Sequence, residues 1–193
     1  MTPRAGRIIG NYELGELIGR GGASEVYAGE HRFLRHPVAV KLLRGELGAD
    51  DPPLDAFLGE AARARAVQHP GVVAVLDFGR DEESGRCYLV MERIPGESLA
   101  ARLARAGRLD EEKVRQLGAA LADGMQAAHD GGIVHRDLKP ANVMLSGEQP
   151  TIVDFGLARD LGGHSALETG RRVGTPAYMA PEQLTGGLIA PCV

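Results

Sequence analysis

The feature that most constrains the fold is a change of hydrophobic period at Pro95-Gly96. Before it, five short runs, Tyr12–Ile18, Glu25–Ala28, Pro37–Leu43, Gly71–Phe78 and Cys87–Glu92, have strand character and are separated by glycine, proline or polar turns. Only Leu54–Val67 reads as a helix there, with Leu54, Phe57, Leu58, Ala61 and Ala62 set around Glu60. After Pro95-Gly96 the pattern turns helical. Ser98–Ala106 predicts a short helix ended by Gly107, and Asp110 is the N-cap of a longer one. In that longer helix Val114, Leu117, Leu121, Met125 and Ala128 recur at helical spacing until Gly131-Gly132 stop it, and the stripe is expected to be core. Val143–Leu145 and Thr151–Val153 predict a small hairpin. Strands first and helices later imply an α+β chain of two unlike lobes, which 193 residues suffice to build.

One stretch concentrates chemistry. His135-Arg136-Asp137-Leu138-Lys139-Pro140-Ala141-Asn142 holds a base, cations and an amide, with Asp154-Phe155-Gly156 a little further on. Two further features lie in the first lobe. Gly19-Arg20-Gly21-Gly22-Ala23-Ser24 breaks a strand pair in the pattern G-x-G-x-x-S-x-V, with Ser24 where a G-x-G-x-x-G loop has its third glycine. An ordinary glycine hairpin gives the same pattern, and the strand that follows separates it from a dinucleotide-binding turn. Lys41 sits in the middle of the apolar run Pro37–Leu43, where a buried ammonium needs a carboxylate, and Glu60 is the natural partner. Snorkelling from an edge strand, and an exposed helical glutamate, are the competing readings.

Composition narrows the field. The net charge of -4 and pI near 5.9 supply no basic field for nucleic acid. Cys87 and Cys192 have no paired spacing, which argues against a disulfide framework or structural zinc and for a reducing, cytoplasmic setting. No apolar run approaches a membrane span and no signal-peptide core is present. Of the 22 basic residues only Lys41, Lys113 and Lys139 are lysine, so a lysine here calls for a local reason.

In order along the chain stand the glycine turn, Val38-Ala39-Val40-Lys41, the helix glutamate, His135 through Asn142, Asp154-Phe155-Gly156 and Ala180-Pro181-Glu182. The set resembles the eukaryotic-like serine/threonine protein kinases of the compact bacterial kind, over about residues 12 to 186. That resemblance implies a two-lobe α+β fold: a five-stranded antiparallel sheet with one helix, then an incomplete, mainly helical lobe. Residues 1–11 would be a tail, 12–94 the first lobe, 95–187 the partial second lobe and 188–193 an atypical end. It implies ATP and Mg²⁺ as cofactors, with Mn²⁺ as an alternative metal, and a protein carrying a serine or threonine acceptor as partner. Lys41 would hold the α- and β-phosphates with Glu60 as its pair, Asn142 and Asp154 would ligate the metal, Asp137 would orient the acceptor hydroxyl and take its proton, and Lys139 would lie against the transferred phosphate. Ile18, Gly19, Gly21 and Ser24 would cover the nucleotide; Val26, Ala39 and Met144 would sandwich the base; Met91 would be the gatekeeper and Glu92 to Ile94 the hinge. Arg136 beside Asp137 resembles kinases switched by activation-loop phosphorylation, with Thr169 and Ser165 as acceptors and Thr175 structural.

The sequence departs from the family at its end. It stops eleven residues after Glu182, where the family continues with helices that floor the second lobe. The expectation from the sequence is therefore of a chain cut short, and a truncated, catalytically incompetent nucleotide-binding or interaction module is the alternative to an active kinase. The sequence leaves dimerisation open.

Overall fold

The computed structural model describes residues 6–21, 24–43, 52–155 and 176–185. These divide into two compact units. The first comprises the described residues up to Arg65 together with Ala74–Arg93; the second comprises Ala66–Val73, 94–155 and 176–185.

The first unit is built on one antiparallel sheet. Its strands are β1 (Ile8–Ile9), β2 (Tyr12–Arg20), β3 (Ser24–His31), β4 (Pro37–Leu43), β5 (Val75–Arg80) and β6 (Cys87–Glu92), ordered β1-β2-β3-β4-β6-β5. The sheet has six strands rather than the expected five. The extra one is β1, folded back on β2 through Gly10 (φ 55°) so that Ile9 pairs with Tyr12 and Ile8 with Glu13. Ile9 is fully buried, which gives a two-residue strand a reason to stay paired, since burying such a side chain contributes about 1.5–3 kcal/mol.

Register sorts the sheet into two faces, because residues directly opposite one another share a face. Tyr27, Val40 and Val90 form one row, and with Ile9, Tyr12, Leu14, Val38, Leu42 and Tyr88 they make the buried core cluster. The Tyr12 hydroxyl donates to Asp77 at 3.1 Å, and burial, then the Asp77 carboxylate, push its pKa up to about 12. The opposite face carries the rows Val26–Lys41–Leu89 and Ala28–Ala39–Met91. Helix α1 (Pro52–Ala66) buries Phe57, Glu60, Ala61 and Ala64, a stripe at helical spacing.

The second unit holds a three-stranded sheet of β7 (Glu97–Ser98), β8 (Val143–Ser146) and β9 (Gln149–Ile152), where a two-stranded hairpin was expected. Strand β7 is admitted by Gly96: its φ is 113°, and a Cβ there would lie 2.0 Å from the Leu145 carbonyl oxygen. Helix α2 (Leu99–Ala106) starts on Ser98, whose hydroxyl accepts from the Ala101 N–H, and ends at Gly107; α3 (Glu111–Asp130) starts on Asp110, which accepts from the Lys113 N–H at 2.8 Å. Leu99, Val143 and Leu145 form the core, with Leu103, Leu109, Leu117 and Leu121 packed around it. The expected core stripe of α3 is only partly realised: Val114 is 54% exposed, and the buried α3 positions are Gly124 and Ala128. Small residues are required there, because a Cβ on Gly124 would come within 3.0 Å of the Gly71 carbonyl oxygen.

The run Gly71–Phe78, expected as one strand, is divided. Gly71–Val73 pairs with β9 of the second unit, with Ile152 N–H donating to Gly71 at 2.8 Å and Val73 N–H to Ile152 at 2.9 Å. Only from Val75 does the chain join the large sheet.

Candidate active site

The stretch from His135 to Asn142 is shaped by hydrogen bonds from side chain to backbone. His135 is 1% exposed, its ring 4.7 Å from that of Phe155. Its Nδ1 faces the Asp137 N–H at 3.3 Å, which can only donate, and its Nε2 faces the Val153 carbonyl at 3.0 Å, which can only accept. The ring is thereby fixed as the neutral Nε2–H tautomer. Arg136 has φ 63°, a left-handed conformation that a non-glycine residue holds only when its surroundings enforce it. Pro140–Asn142 then make a single 3₁₀ turn, closed by the Asn142 N–H on the Lys139 carbonyl.

Two side chains converge on Asp137. Lys139 Nζ lies 2.8 Å from Asp137 Oδ2, and Asn142 Nδ2 donates to the Asp137 carbonyl oxygen at 2.9 Å and reaches Oδ2 at 3.4 Å. Asp137 and Lys139 are three-quarters buried and Asn142 is 6% exposed. Because Asn142 turns its amide nitrogen to Asp137, its Oδ1 faces the other way. Asn142 accepts from the Val153 N–H at 2.9 Å, so the register of β8 and β9 sets Asp154 one residue beyond the partner of Asn142. Asp154 is half-buried with φ 63°.

In the first unit Val26, Ala39, Lys41 and Met91 share one face of the sheet. Lys41 is 4% exposed and Glu60 8%, and each has an interaction partner. Strand β4 is paired on both sides, which rules out the edge-strand reading of Lys41, and burial rules out the exposed reading of Glu60. Ile18 and Gly21 are exposed, Gly19 half-buried, and the turn closes with the Gly21 N–H on the Ser24 carbonyl at 2.9 Å. Among the described residues, a Cβ on Gly19 would meet Val26 at 3.6–3.8 Å and one on Gly21 would meet Ser24 at 3.7 Å, ordinary contacts. Ser24 is buried, opposite Leu43. Glu92 N–H is taken by the Ala74 carbonyl, Ile94 is half-buried, and Met144 is half-buried on β8 opposite Thr151.

Among the expected residues, Asp137, Lys139 and Asn142 are brought together in the second unit, while Val26, Ala39, Lys41 and Met91 are aligned in the first. Gly156, Ser165, Thr169 and Thr175 lie outside the described residues. One contact in this region escapes sequence reading: Gln183, in α4 (Pro181–Thr185), donates through Nε2 to the Arg136 carbonyl at 2.7 Å. Its signal, a glutamine after Ala-Pro-Glu, names no partner 47 residues away.

The chain is similar to known proteins. Residues 12–190 match the protein kinase domain family. The chain belongs to the protein kinase family. A probable serine/threonine-protein kinase of Streptomyces coelicolor is 41% identical over 186 residues, covering 93% of this chain and 28% of the relative; serine/threonine-protein kinase PknA of Mycobacterium tuberculosis is 37% identical over 191 residues, covering 96% and 44%. The chain thus spans less than half the length of these curated relatives. The crystal structure of the Mycobacterium tuberculosis PknI kinase domain superposes with TM-score 0.76 at 26% identity, covering 98% of this chain and 71% of that one. Among the described residues no helix is long and apolar enough to cross a membrane.

Proposed function

We propose that this protein transfers the γ-phosphoryl group of ATP to serine or threonine hydroxyls of a protein substrate. The observation that carries the reading is Asp137, a three-quarters-buried carboxylate held by Lys139 and Asn142 in a loop whose Arg136 is left-handed. Phosphoryl transfer asks for positioning and charge neutralisation more than covalent help, and this loop offers both. Asp137 orients the acceptor hydroxyl; as that oxygen bonds to the γ-phosphorus and the bond to the ADP oxygen breaks, the hydroxyl proton passes to the Asp137 carboxylate. Lys139 turns from Asp137 to the transferred phosphate and offsets its charge.

Residues of the first unit take the nucleotide. Lys41, with Glu60 as its ion-pair partner, holds the α- and β-phosphates. Ile18, Gly19, Gly21 and Ser24 belong to the turn that covers them, where Gly19 and Gly21 carry no side chain to keep an anion from the backbone. Val26 and Ala39 contact the base and Met91 limits the space behind it; Met144 and Ile94, which belong to the second unit, keep the base-contact and hinge roles that the family resemblance implies. The donor set fits Mg²⁺, which binds few protein oxygens beside phosphates: Asn142 presents Oδ1 once its amide nitrogen is committed to Asp137, and Asp154 supplies a carboxylate. When bound, Mg²⁺ or Mn²⁺ neutralises phosphate charge. The cytoplasm, where ATP is abundant, is the proposed setting.

The test is transfer from γ-labelled ATP with Mg²⁺ to a basic protein, comparing the chain with Asp137→Asn. Label incorporated by the first and not the second supports the reading. Equal incorporation refutes it, and ATP binding without transfer in both would mark a binding module instead.

A further inference from the structure

Asp137 hangs from the peptide unit that joins it to Arg136, and that unit is held at both ends. Its N–H, on Asp137, donates to His135 Nδ1 at 3.3 Å; its carbonyl oxygen, on Arg136, accepts from Gln183 Nε2 at 2.7 Å. A peptide unit is planar and rigid, so fixing both edges fixes ψ of Arg136 and φ of Asp137, and with them the direction of the Asp137 side chain. The left-handed φ of Arg136 makes that hold necessary, because the conformation costs about 1–3 kcal/mol unless its surroundings enforce it. The amide of Gln183 is assigned without ambiguity: the Arg136 carbonyl can only accept, and the Ala180 N–H, which faces Oε1 at 3.0 Å, can only donate.

The two arms of Gln183 have separable jobs. Oε1 reaching back to the N–H of Ala180, the residue that precedes α4, is half of a capping box, an ordinary way to start a helix, and glutamate does it as well as glutamine. Nε2 contributes nothing to that cap and reaches instead to the backbone beside Asp137. We infer that Gln183 is a positioning residue for phosphoryl transfer: through the Arg136 carbonyl it sets the peptide plane from which Asp137 faces the acceptor hydroxyl, coupling the 176–185 segment to the loop. This rests on the reading of Asp137 given above.

Gln183→Glu separates the arms, keeping the cap acceptor and losing the donor. Gln183→Met loses both, and Gln126→Met, which removes an exposed glutamine bond to Asp130 on α3, is the control. The full chain is assayed for kcat and for KM of ATP, melted, and followed by hydrogen exchange over residues 133–142. The expected result for Gln183→Glu is kcat lower by about 10- to 100-fold, KM within about twofold, and faster exchange around Asp137, with Gln126→Met at wild type. Wild-type kcat and exchange in Gln183→Glu overturn the inference; so does a loss of kcat in proportion to a loss of folded protein. If the unaltered chain transfers no more label than Asp137→Asn, the proposed function falls, and exchange alone still decides whether Gln183 holds the loop.

Discussion

The loop around Asp137 and the sheet face around Lys41 reach order by opposite routes. In the loop each functional side chain is held by particular partners: His135 by Val153 and Asp137, Asn142 by Asp137, the Arg136 carbonyl by Gln183. On the sheet, Val26, Ala39, Lys41 and Met91 share a face because backbone ladders put them there, and the buried cluster on the opposite face stabilises those ladders. The loop therefore depends on a few specific bonds and the sheet on many interchangeable contacts. A substitution in the first should change chemistry more than stability, and one in the second the reverse.

The largest expected effect tests the loop. Asp137→Asn should lower the initial rate of transfer by about 10²–10⁴-fold while the melting temperature barely moves, since the amide replaces the carboxylate without change of volume. A comparable loss of stability would break the distinction. The matching change in the sheet is Leu42→Ala, at a fully buried position of β4: chemical denaturation should show a loss of about 2–5 kcal/mol, with the rate per folded molecule unchanged at low temperature. Gly96→Ala tests the small sheet of the second unit. Left-handed strain and the approach to Leu145 should cost at least about 1–3 kcal/mol and release β7, read as faster exchange of the backbone at Glu97 and Ser98.

The smallest effect is a pH dependence. Tyr12 keeps its proton in the folded state up to about pH 12, whereas in the unfolded chain it loses it near the ordinary tyrosine value of 10. The folded state binds more protons between these values, so stability should fall as pH rises from about 10 to 12. Tyr12→Phe should flatten that fall in denaturation curves taken at successive pH values and leave the curve near neutrality lower by about 0.5–1.5 kcal/mol.

What the sequence revealed divides along the same line. The tension at Lys41 and Glu60 was legible because a charge inside an apolar run or stripe has to be compensated if it is buried, as both are, and Asp110 because a cap acts within three residues. Strands β1 and β7 were not, since two residues have no period; their existence depends on Gly10 and Gly96 and on partners elsewhere in the chain. The apolar run Gly71–Phe78 reads as one strand whichever sheet it joins, so its division after Val73 is invisible locally. Val114 keeps the helical period of its stripe and is nevertheless exposed, because periodicity marks a face and says nothing of how far along the helix its cover extends. Gln183 acts across 47 residues, and no local pattern predicts that.

The short strip Gly71–Val73 has a consequence for inheritance. It is sewn to Ile152 by two backbone hydrogen bonds, yet in sequence it lies between helix α1 and strand β5, both of the first unit. A gene cut between the two units, after Arg93, would therefore remove Ile152 from the product carrying the sheet and remove Gly71–Val73 from the product carrying the catalytic loop. Each would be left with a torn edge of unpaired backbone. The chain enters the second unit at Ala66–Val73 and returns to the first before leaving it again after Arg93, so a single cut there parts the second unit from some of its own residues.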